Sequence, residues 1–417
     1  MSCVATSVGG DGVKIALLSY ELPPDTGFGG IGTYTWYQAR ALVRLGHDVR
    51  VVAGALEPGC HHSEVDGVKI TRVLDDGPFA GAIRGMLDDG LGWAPNRIRT
   101  ASGAFHALRD LLEQESYDVV EYPECGGDGM IVSTMLPVRT CVRFHSPAAL
   151  IMGSYPVSEA DLEATSFLEQ IGIDQADVRT APSTFMASEV VDRLGVTTPV
   201  HVIPNGIDLG SLDSASSPEV VERFELPTRP DLVTVLFASR LERRKGAHLL
   251  AEVCAQVLGR DPRVHFLVAG ADVDGLVDGV IRPRLAAEGL DDRFRYLNRL
   301  ALPEVRELLK HVDVQLLPTT WDNAPYACLE AMAAGVAVVT SDLGGMPEMI
   351  EHERTGLLST PHDPHSFATN VLRLADDRAL RERLGAQARA EVEARFTDTA
   401  MARATVELWR SSFGLGA

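Results

Sequence analysis

Short apolar runs alternate with longer amphipathic segments along most of the chain. In the first half they predict buried strands at 14–19, 48–53, 117–120, 138–144, 178–181 and 200–203. Apolar residues recur at helical spacing in most of the gaps, including 34–45 and 97–115. Strands that alternate with helices in this way indicate a parallel sheet with helices on both faces.

The alternation stops at a polar stretch, 211–219 (SLDSASSPE), and then begins again. The second half predicts strands at 232–238, 264–269, 294–297, 312–317 and 336–340, again separated by helical sequence. Beyond them the pattern is helical and ends in an amphipathic segment, 396–413. We predict two doubly wound α/β domains, 1–205 and 206–395, followed by a terminal helix, 396–417.

Composition agrees with two domains and narrows the possible partners. The chain has 417 residues, of which 45% are apolar and 23% charged, with a mean hydropathy of +0.03, as is typical of a soluble globular protein. Its net charge of −20 and its lack of a basic run disfavour binding to nucleic acid.

The six cysteines are scattered and contain no C-x-x-C pair, so neither a zinc site nor a disulfide framework is indicated. The first residues lack the basic and apolar regions of a signal peptide, and no apolar run approaches membrane-spanning length. We therefore expect a cytoplasmic protein.

Glycine is concentrated in the loop after the first strand, 21–33 (ELPPDTGFGGIGT), at Gly27, Gly29, Gly30 and Gly32. Glycines allow backbone amides to approach an anion at a helix N-terminus, although they also make tight turns. The spacing departs from G-x-G-x-x-G and no acid follows the second strand, which disfavours a dinucleotide-binding dehydrogenase. We favour a phosphate cradle.

Polar side chains follow other strands, where ligands of parallel sheets bind. His145 follows the strand 138–144, and a single histidine there is as consistent with a structural as with a catalytic role. Arg240 and Lys245 lie on the loop after 232–238 (SRLERRKG). Their guanidinium and ammonium groups could converge on a diphosphate, although most such basic clusters are simply solvated.

Two acids, Asp322 and Glu330, lie in the segment TTWDNAPYACLEAMAAGVAVVTS. We predict that Glu330 begins a helix that Gly335 ends, just before the strand 336–340. Acids placed in this way can bind one polyol ligand. After that strand, Gly344 and Gly345 precede a helix started by Pro347, which either presents amide donors to an anion or only begins the helix.

Taken in order, these segments resemble the retaining glycosyltransferases of family 4, the group 1 enzymes that include glycogen synthase and sucrose-phosphate synthase. The resemblance is carried by GGIGTY, RALVRLGHDVRVVA, FHSP, PNGID, SRLERRKG, WDNAPYACLEAMAAG and GGMPEMI. It covers nearly the whole chain and implies the GT-B fold, with two Rossmann-like domains facing across a cleft. The C-terminal domain would hold most of the nucleotide, and the last helix would cross back to the N-terminal domain.

The resemblance also implies roles for particular residues. Arg240 and Lys245 would bind the donor diphosphate, and Glu330 the nucleotide ribose. Asp322, where the family usually has Glu, would contact the transferred sugar, as would His145. The other expected contacts with the nucleotide sugar are Gly29, Gly30, Asn298, Arg299, Asn323, Gly344, Gly345 and Met346.

The implied reaction moves a glycosyl group from a nucleoside diphosphate sugar, of UDP or GDP type, to an acceptor with retention at the anomeric carbon. The positive side chains would stabilise the leaving diphosphate, and its oxygen can take the acceptor's proton. Neither a protein base nor a metal is then required. Asp272-Val273-Asp274 spells the D-x-D of metal-dependent transferases of another fold, but we expect a solvated turn.

The acceptor is expected in the N-terminal domain, at 78–96 or 122–128, where Glu121 and Glu124 could bind a polar or cationic molecule such as an aminocyclitol. Ordinary hydrated acids are an equal alternative. Without a basic amphipathic helix for membrane docking, a small soluble acceptor is preferred. The composition suits a GC-rich bacterium, and hence a specialised-metabolite or storage-sugar pathway.

Two alternatives stay open. One is a different GT-B enzyme, such as a nucleotide-sugar epimerase or a phosphorylase. The other is a noncatalytic nucleotide-sugar binder, or a pseudo-glycosyltransferase that joins a cyclitol. The oligomeric state is left undetermined by the sequence.

Overall fold

The computed structural model describes residues 12–27, 29–75, 77–78, 81–82, 85, 91–212, 222–224, 226, 229 and 231–415. Much of the expected acceptor segment 78–96, and of the polar stretch 211–219, lies outside these residues. The described chain forms two compact units. Unit 1 comprises the residues up to Gly206 together with those from Asp398 onward, and unit 2 is Ile207–Thr397.

Unit 1 is built on an eight-stranded sheet in the order β3-β4-β2-β1-β5-β6-β7-β8. All neighbouring strands are parallel except β3 and β4, which form an antiparallel hairpin. The strands are β1 Lys14–Ser19, β2 Asp48–Gly54, β3 Gly59–Val65, β4 Val68–Leu74, β5 Val119–Pro123, β6 Thr140–Arg143, β7 Val178–Ala181 and β8 Val200–Val202.

The helices of unit 1 are α1 Gly30–Arg44, α2 Ala94–Leu112, α3 Met130–Met135, α4 Ala148–Ile151, α5 Glu159–Gln175, α6 Thr184–Leu194 and, from the end of the chain, α14 Asp398–Phe413. Helix α14 belongs to the core of this unit, since its Trp409 is 0% exposed and packs with apolar residues of α1 and β1. An ion pair between Arg44 and Asp398 ties α1 to the start of α14.

Unit 2 is built on a six-stranded parallel sheet in the order β11-β10-β9-β12-β13-β14. The strands are β9 Val233–Ala238, β10 Val264–Ala269, β11 Phe294–Tyr296, β12 Val314–Leu317, β13 Ala337–Ser341 and β14 Leu357–Ser359. The direction of winding reverses between β9 and β12. In doubly wound sheets the ligand crevice lies outside the carboxyl ends of the strands at such a reversal.

The helices of unit 2 are α7 Leu250–Arg260, α8 Arg282–Ala286, α9 Leu302–Leu309, α10 Tyr326–Ala333, α11 Met346–Met349, α12 Pro364–Asp376 and α13 Arg378–Arg395. Buried Val, Leu and Phe side chains from the sheet and from α7, α12 and α13 make one continuous core. Both units therefore have the doubly wound α/β architecture that the alternating pattern predicted.

Three predicted strands, 14–19, 178–181 and 264–269, have the bounds of β1, β7 and β10, and the others differ only at their ends. The prediction missed the hairpin β3–β4 and the short β14. It was also wrong about Glu330, which lies inside α10 rather than at its start, because the helix already begins at Tyr326. Gly335 ends that helix, as expected, with a φ of 73°.

Candidate functional site

A buried ion pair lies at the point in unit 2 where the winding reverses. Lys245 follows β9 and Asp322 follows β12, and Lys245 Nζ lies 2.6 Å from Asp322 Oδ2. Their side chains are only 17% and 10% exposed. Burial lowers the pKa of Lys245, and the attraction of Asp322 offsets part of that shift. The loops after two neighbouring strands thus meet through opposite charges at the sheet's ligand-binding edge.

The pair continues into a row of alternating charges. Arg244 Nη2 lies 3.0 Å from Glu242 Oε1, while its Nη1 lies 3.9 Å from Asp322 Oδ1. At the other end, Arg240 Nη1 is 3.3 Å from Glu242 Oε2. The Arg240 side chain is 53% exposed, whereas the Lys245 side chain is only 17% exposed and held by Asp322. Arg240 and Lys245 are close enough for the charge of Arg240 to lower the pKa of Lys245.

The loop after β13 packs against the loop that carries Asp322. The amide of Gly345 donates to the carbonyl of Asp322 at 3.0 Å, and that of Met346 to Leu343 at 3.2 Å. A Cβ on Gly344, whose φ is 66°, would lie 2.2 Å from the Asp322 carbonyl oxygen. These glycines are therefore required for close backbone packing. Two of the three amides that were expected to face a ligand donate to carbonyl groups instead.

Asn323 lies on the same loop and is nearly buried. Its amide donates to Asp322 Oδ1 at 3.2 Å, and its own side-chain oxygen accepts from the amide of Ala324. Both contacts shape the turn that leads into α10. Asn323 therefore helps to orient the Asp322 carboxylate.

Glu330 lies one turn into α10 with almost no exposed surface, and Arg306 of α9 lies beside it. Arg306 Nε is 3.6 Å from Glu330 Oε1. Burial raises the pKa of Glu330 to about 7, and Arg306 opposes that rise. This acid is poised between its charged and neutral forms near neutral pH.

The residues after β10 and β11 occupy the outer part of this edge. Asn298 has a left-handed φ of 56°, a conformation that asparagine tolerates better than most residues, and its carbonyl accepts from the Gly270 amide at 2.9 Å. Arg299 follows it. Both acids of the D-x-D sequence contact backbone amides: Asp272 accepts from the amides of two residues at 2.8 and 2.9 Å, and Asp274 accepts from that of Arg243 at 3.1 Å.

In unit 1, His145 lies two residues beyond the end of β6 and is 9% exposed. Its ring meets that of Tyr34 edge to face, with centroids 4.9 Å apart, and Arg143 lies over the same Tyr34 ring at 4.8 Å. Burial, and secondly the charge of Arg143, hold the pKa of His145 well below its ordinary value. The imidazole is therefore neutral at pH 7, so one ring nitrogen can donate and the other accept.

Glu121 and Glu124, the acids expected to bind an acceptor, make hydrogen bonds within unit 1. Glu124 accepts the amides of His145 and Ser146 at 2.8 and 2.6 Å, so it fixes the backbone that carries the histidine. Burial, and then Glu169, raise its pKa to about 8. Glu121 accepts from the Tyr34 hydroxyl at 2.8 Å and is also buried. Neither acid is an ordinary hydrated group.

The glycine loop of unit 1 already contains an anion. Gly29 caps α1 and Gly30 begins it, so the helix starts four residues before the predicted helical segment 34–45. However, Glu21 Oε2 accepts the amide of Gly32 at 3.3 Å, and a Cβ on Gly29 would lie 2.7 Å from the same oxygen. The glycines at 27, 29 and 32 thus make room for the Glu21 side chain at the helix N-terminus.

Family models of glycosyltransferases match both units of the chain. The model of glycosyltransferase family 4 matches residues 28–211, and the model of group 1 glycosyl transferases matches residues 220–391. The chain belongs to this glycosyltransferase family. A relative, D-inositol 3-phosphate glycosyltransferase 2 of Catenulispora acidiphila, is 27% identical over 96% of this chain and 95% of its own length.

Solved glycosyltransferase structures show that the fold is GT-B. Sucrose-phosphate synthase from Thermosynechococcus elongatus matches with a TM-score of 0.77 and 20% identity over 97% of this chain and 100% of its own. Anabaena HepE, solved with UDP and glucose, matches with a TM-score of 0.71 and 19% identity over 95% and 100%. The chain is thus a glycosyltransferase with the two α/β domains of that fold. In the part of it that the structure describes, no helix is long and apolar enough to span a membrane.

Several residues of the candidate site were missed by sequence reasoning. Glu242 and Arg244 stand inside the segment SRLERRKG, but only the structure shows that they link Arg240 to Asp322. Arg306 has no distinguishing signal, because it lies between two acids of α9, Glu304 and Glu307, as many solvated helix cations do. Glu21 is the first residue of the glycine loop, and that position was its only sequence signal.

Proposed function

We propose that this chain is a retaining glycosyltransferase that moves a sugar from a nucleoside diphosphate sugar, of UDP or GDP type, to a small polar acceptor. The observation that carries the proposal is the buried Lys245 ammonium beside the exposed Arg240 guanidinium at the winding reversal of unit 2. Two cations at the carboxyl edge of a doubly wound sheet suit a diphosphate, since one is fixed and the other can adapt.

The donor would lie along the loops that meet at this edge. Its diphosphate would contact Arg240 and Lys245, its ribose Glu330, and its base the neighbourhood of Asn298 and Arg299. The presence of UDP and glucose in HepE supports a nucleotide sugar of this kind. Asp322 would face the sugar with the hydrogen-bonding capacity that its ion pair with Lys245 leaves on the carboxylate.

In the proposed reaction, the bond between the anomeric carbon and the diphosphate oxygen breaks while the acceptor oxygen bonds to the same face of that carbon. Negative charge grows on the departing diphosphate. Lys245, already desolvated and held by Asp322, stabilises that charge without having to reorganise. The acceptor's proton passes to the leaving oxygen, so the reaction needs no protein base.

We propose further that the cations replace a metal in this role. The carboxylates of Asp272 and Asp274 are engaged with backbone amides, which supports a structural role for them. Within the described residues, no group of three or more histidine, cysteine or acidic side chains is arranged to hold a metal ion.

Unit 1 would supply the acceptor site. The neutral His145 imidazole, whose backbone Glu124 holds and whose ring packs against Tyr34, can exchange hydrogen bonds with hydroxyl groups. The name of the Catenulispora relative, which acts on an inositol phosphate, supports a polyhydroxylated acceptor of small size.

The test is a panel of UDP, GDP, ADP and TDP sugars, scored by mass spectrometry for binding and for slow hydrolysis. We expect one nucleotide series to bind and to be hydrolysed slowly without an acceptor. Arg240→Ala should weaken both signals, while the exposed control Arg282→Ala on α8 should leave them unchanged. Binding without any turnover across an acceptor panel would favour a noncatalytic binder, and no binding at all would refute the proposal.

A further inference from the structure

A buried carboxyl and a largely buried guanidinium face each other between two helices of unit 2. The side chains of Arg306 on α9 and Glu330 on α10 are 13% and 6% exposed. The distance of 3.6 Å between Arg306 Nε and Glu330 Oε1 suits an ion pair but exceeds that of a good hydrogen bond. Among the described residues, Glu330 Oε1 accepts no hydrogen bond. Glu330 is thus attracted by a cation while this oxygen keeps its capacity to accept from a ligand.

The charge on Glu330 depends on this neighbour. Burial favours the neutral carboxyl, and the opposing influence is the charge of Arg306. Arg389 of α13 donates to the carbonyl of Ala333 in the last turn of α10 at 2.7 Å, one turn beyond Glu330.

Loss of Arg306 would leave a buried carboxyl with no ion-pair partner nearby, and such a group takes up a proton. A protonated carboxyl has one donor and a reduced capacity to accept. A ribose diol presents two hydroxyl donors, so it binds best to the ionised and fixed form.

We propose that Arg306 is a positioning residue for the nucleotide: it favours the charged form of Glu330 and orients it to accept the ribose hydroxyls, and does not itself contact the ribose. This inference rests on the proposed function, because it requires a ribose at Glu330. Arg306 would thus raise the affinity for the nucleotide indirectly, through Glu330.

The experiment measures the dissociation constants of UDP, GDP and ADP, and of their 2′,3′-dideoxy forms, by isothermal titration calorimetry. The proteins are the full-length wild type, Arg306→Gln, Arg306→Lys, Glu330→Gln and the double variant, with Arg282→Gln as a surface control. We expect Arg306→Gln to bind the ribonucleotide about 10- to 100-fold more weakly, the range for lost hydrogen bonds to a charged group. The dideoxy form should bind wild type and Arg306→Gln equally, and Arg306→Lys should recover part of the loss.

Each other outcome has a distinct meaning. An equal loss for ribo- and dideoxynucleotide would overturn the proposal, because Arg306 would then act on the fold or on another part of the ligand. The proposal would also be overturned if the double variant bound the nucleotide more weakly than Glu330→Gln alone. A wild type that binds no nucleotide would refute the proposed function as well. Should Arg306→Gln be unfolded, as judged by its melting curve, Arg306→Lys and Glu330→Gln decide the question with the same pair of ligands.

Discussion

Replacing Lys245 by Met should affect stability and catalysis for two separable reasons. The change removes the cation 2.6 Å from Asp322 and leaves a carboxylate in a site only 10% exposed. Breaking one side of a buried ion pair costs about 3 to 5 kcal/mol. We expect the lower end, about 3 kcal/mol, because Arg244 Nη1 stays 3.9 Å from Asp322 Oδ1. The lost electrostatic donor should also reduce turnover by roughly 10²- to 10³-fold.

A second variant separates the two effects. Lys245→Met combined with Asp322→Asn removes both charges, so it should regain most of the lost free energy of unfolding without regaining turnover. The assay is urea denaturation followed by fluorescence, alongside initial rates measured with the donor that the panel identifies. Arg282→Met, on the surface of α8, serves as the control for loss of a positive charge.

Two results would refute this reasoning. If Lys245→Met were as stable as wild type, the pair would not be the buried contact that the structure shows. If the double variant recovered the wild-type rate along with its stability, Lys245 would be a structural residue and the diphosphate would be stabilised elsewhere.

Four further predictions concern the same unit. Arg240→Ala should keep wild-type stability, since its side chain is 53% exposed, yet lose about 3 to 4 kcal/mol of transition-state stabilisation in kcat/KM; an unchanged kcat/KM would contradict this. Nucleotide affinity should rise as pH increases through about 7, where Glu330 ionises, and Glu330→Gln should abolish the rise. The pKa of Glu330 is higher in the folded than in the unfolded protein, so Glu330 destabilises the fold as pH climbs from its unfolded-state pKa to about 7. Over that range the melting temperature of Glu330→Gln should rise relative to that of wild type. Rates in excess EDTA should match those with added magnesium, and a loss that magnesium restores would argue for a metal.

The alternating pattern was sufficient for most of the sheet because parallel strands are buried on both faces. Strands such as β10, whose residues are nearly all apolar, stand out from the amphipathic helices around them. The hairpin β3–β4 was not predicted, because every residue of β3 is exposed and the strand therefore has no apolar face. The signal that was present is the turn at Asp66 and Gly67, both with positive φ, which is the D-G hairpin turn.

The candidate site was predicted residue by residue but not as a set of contacts. Position after a strand was enough to select Arg240, Lys245 and Asp322. Their pairing depends on which strands are neighbours, and β9 lies beside β12 only through the reversal of the winding. The contact of Glu21 with the glycine loop could not be predicted for a similar reason. The loop folds back so that its glycines surround the Glu21 side chain, and such folding leaves no repeating pattern in the sequence.

The place of α14 in unit 1 has a consequence for the order in which the protein folds. Unit 2 is an insertion whose two ends lie side by side, since the amide of Ile207 donates to the carbonyl of Phe396 at 2.8 Å. Trp409 and its helix neighbours then complete the core of unit 1. During synthesis, domains usually finish in order from the N-terminus. Here the first unit to be translated must be the last to close, with its apolar surface open until residues 398–413 emerge from the ribosome.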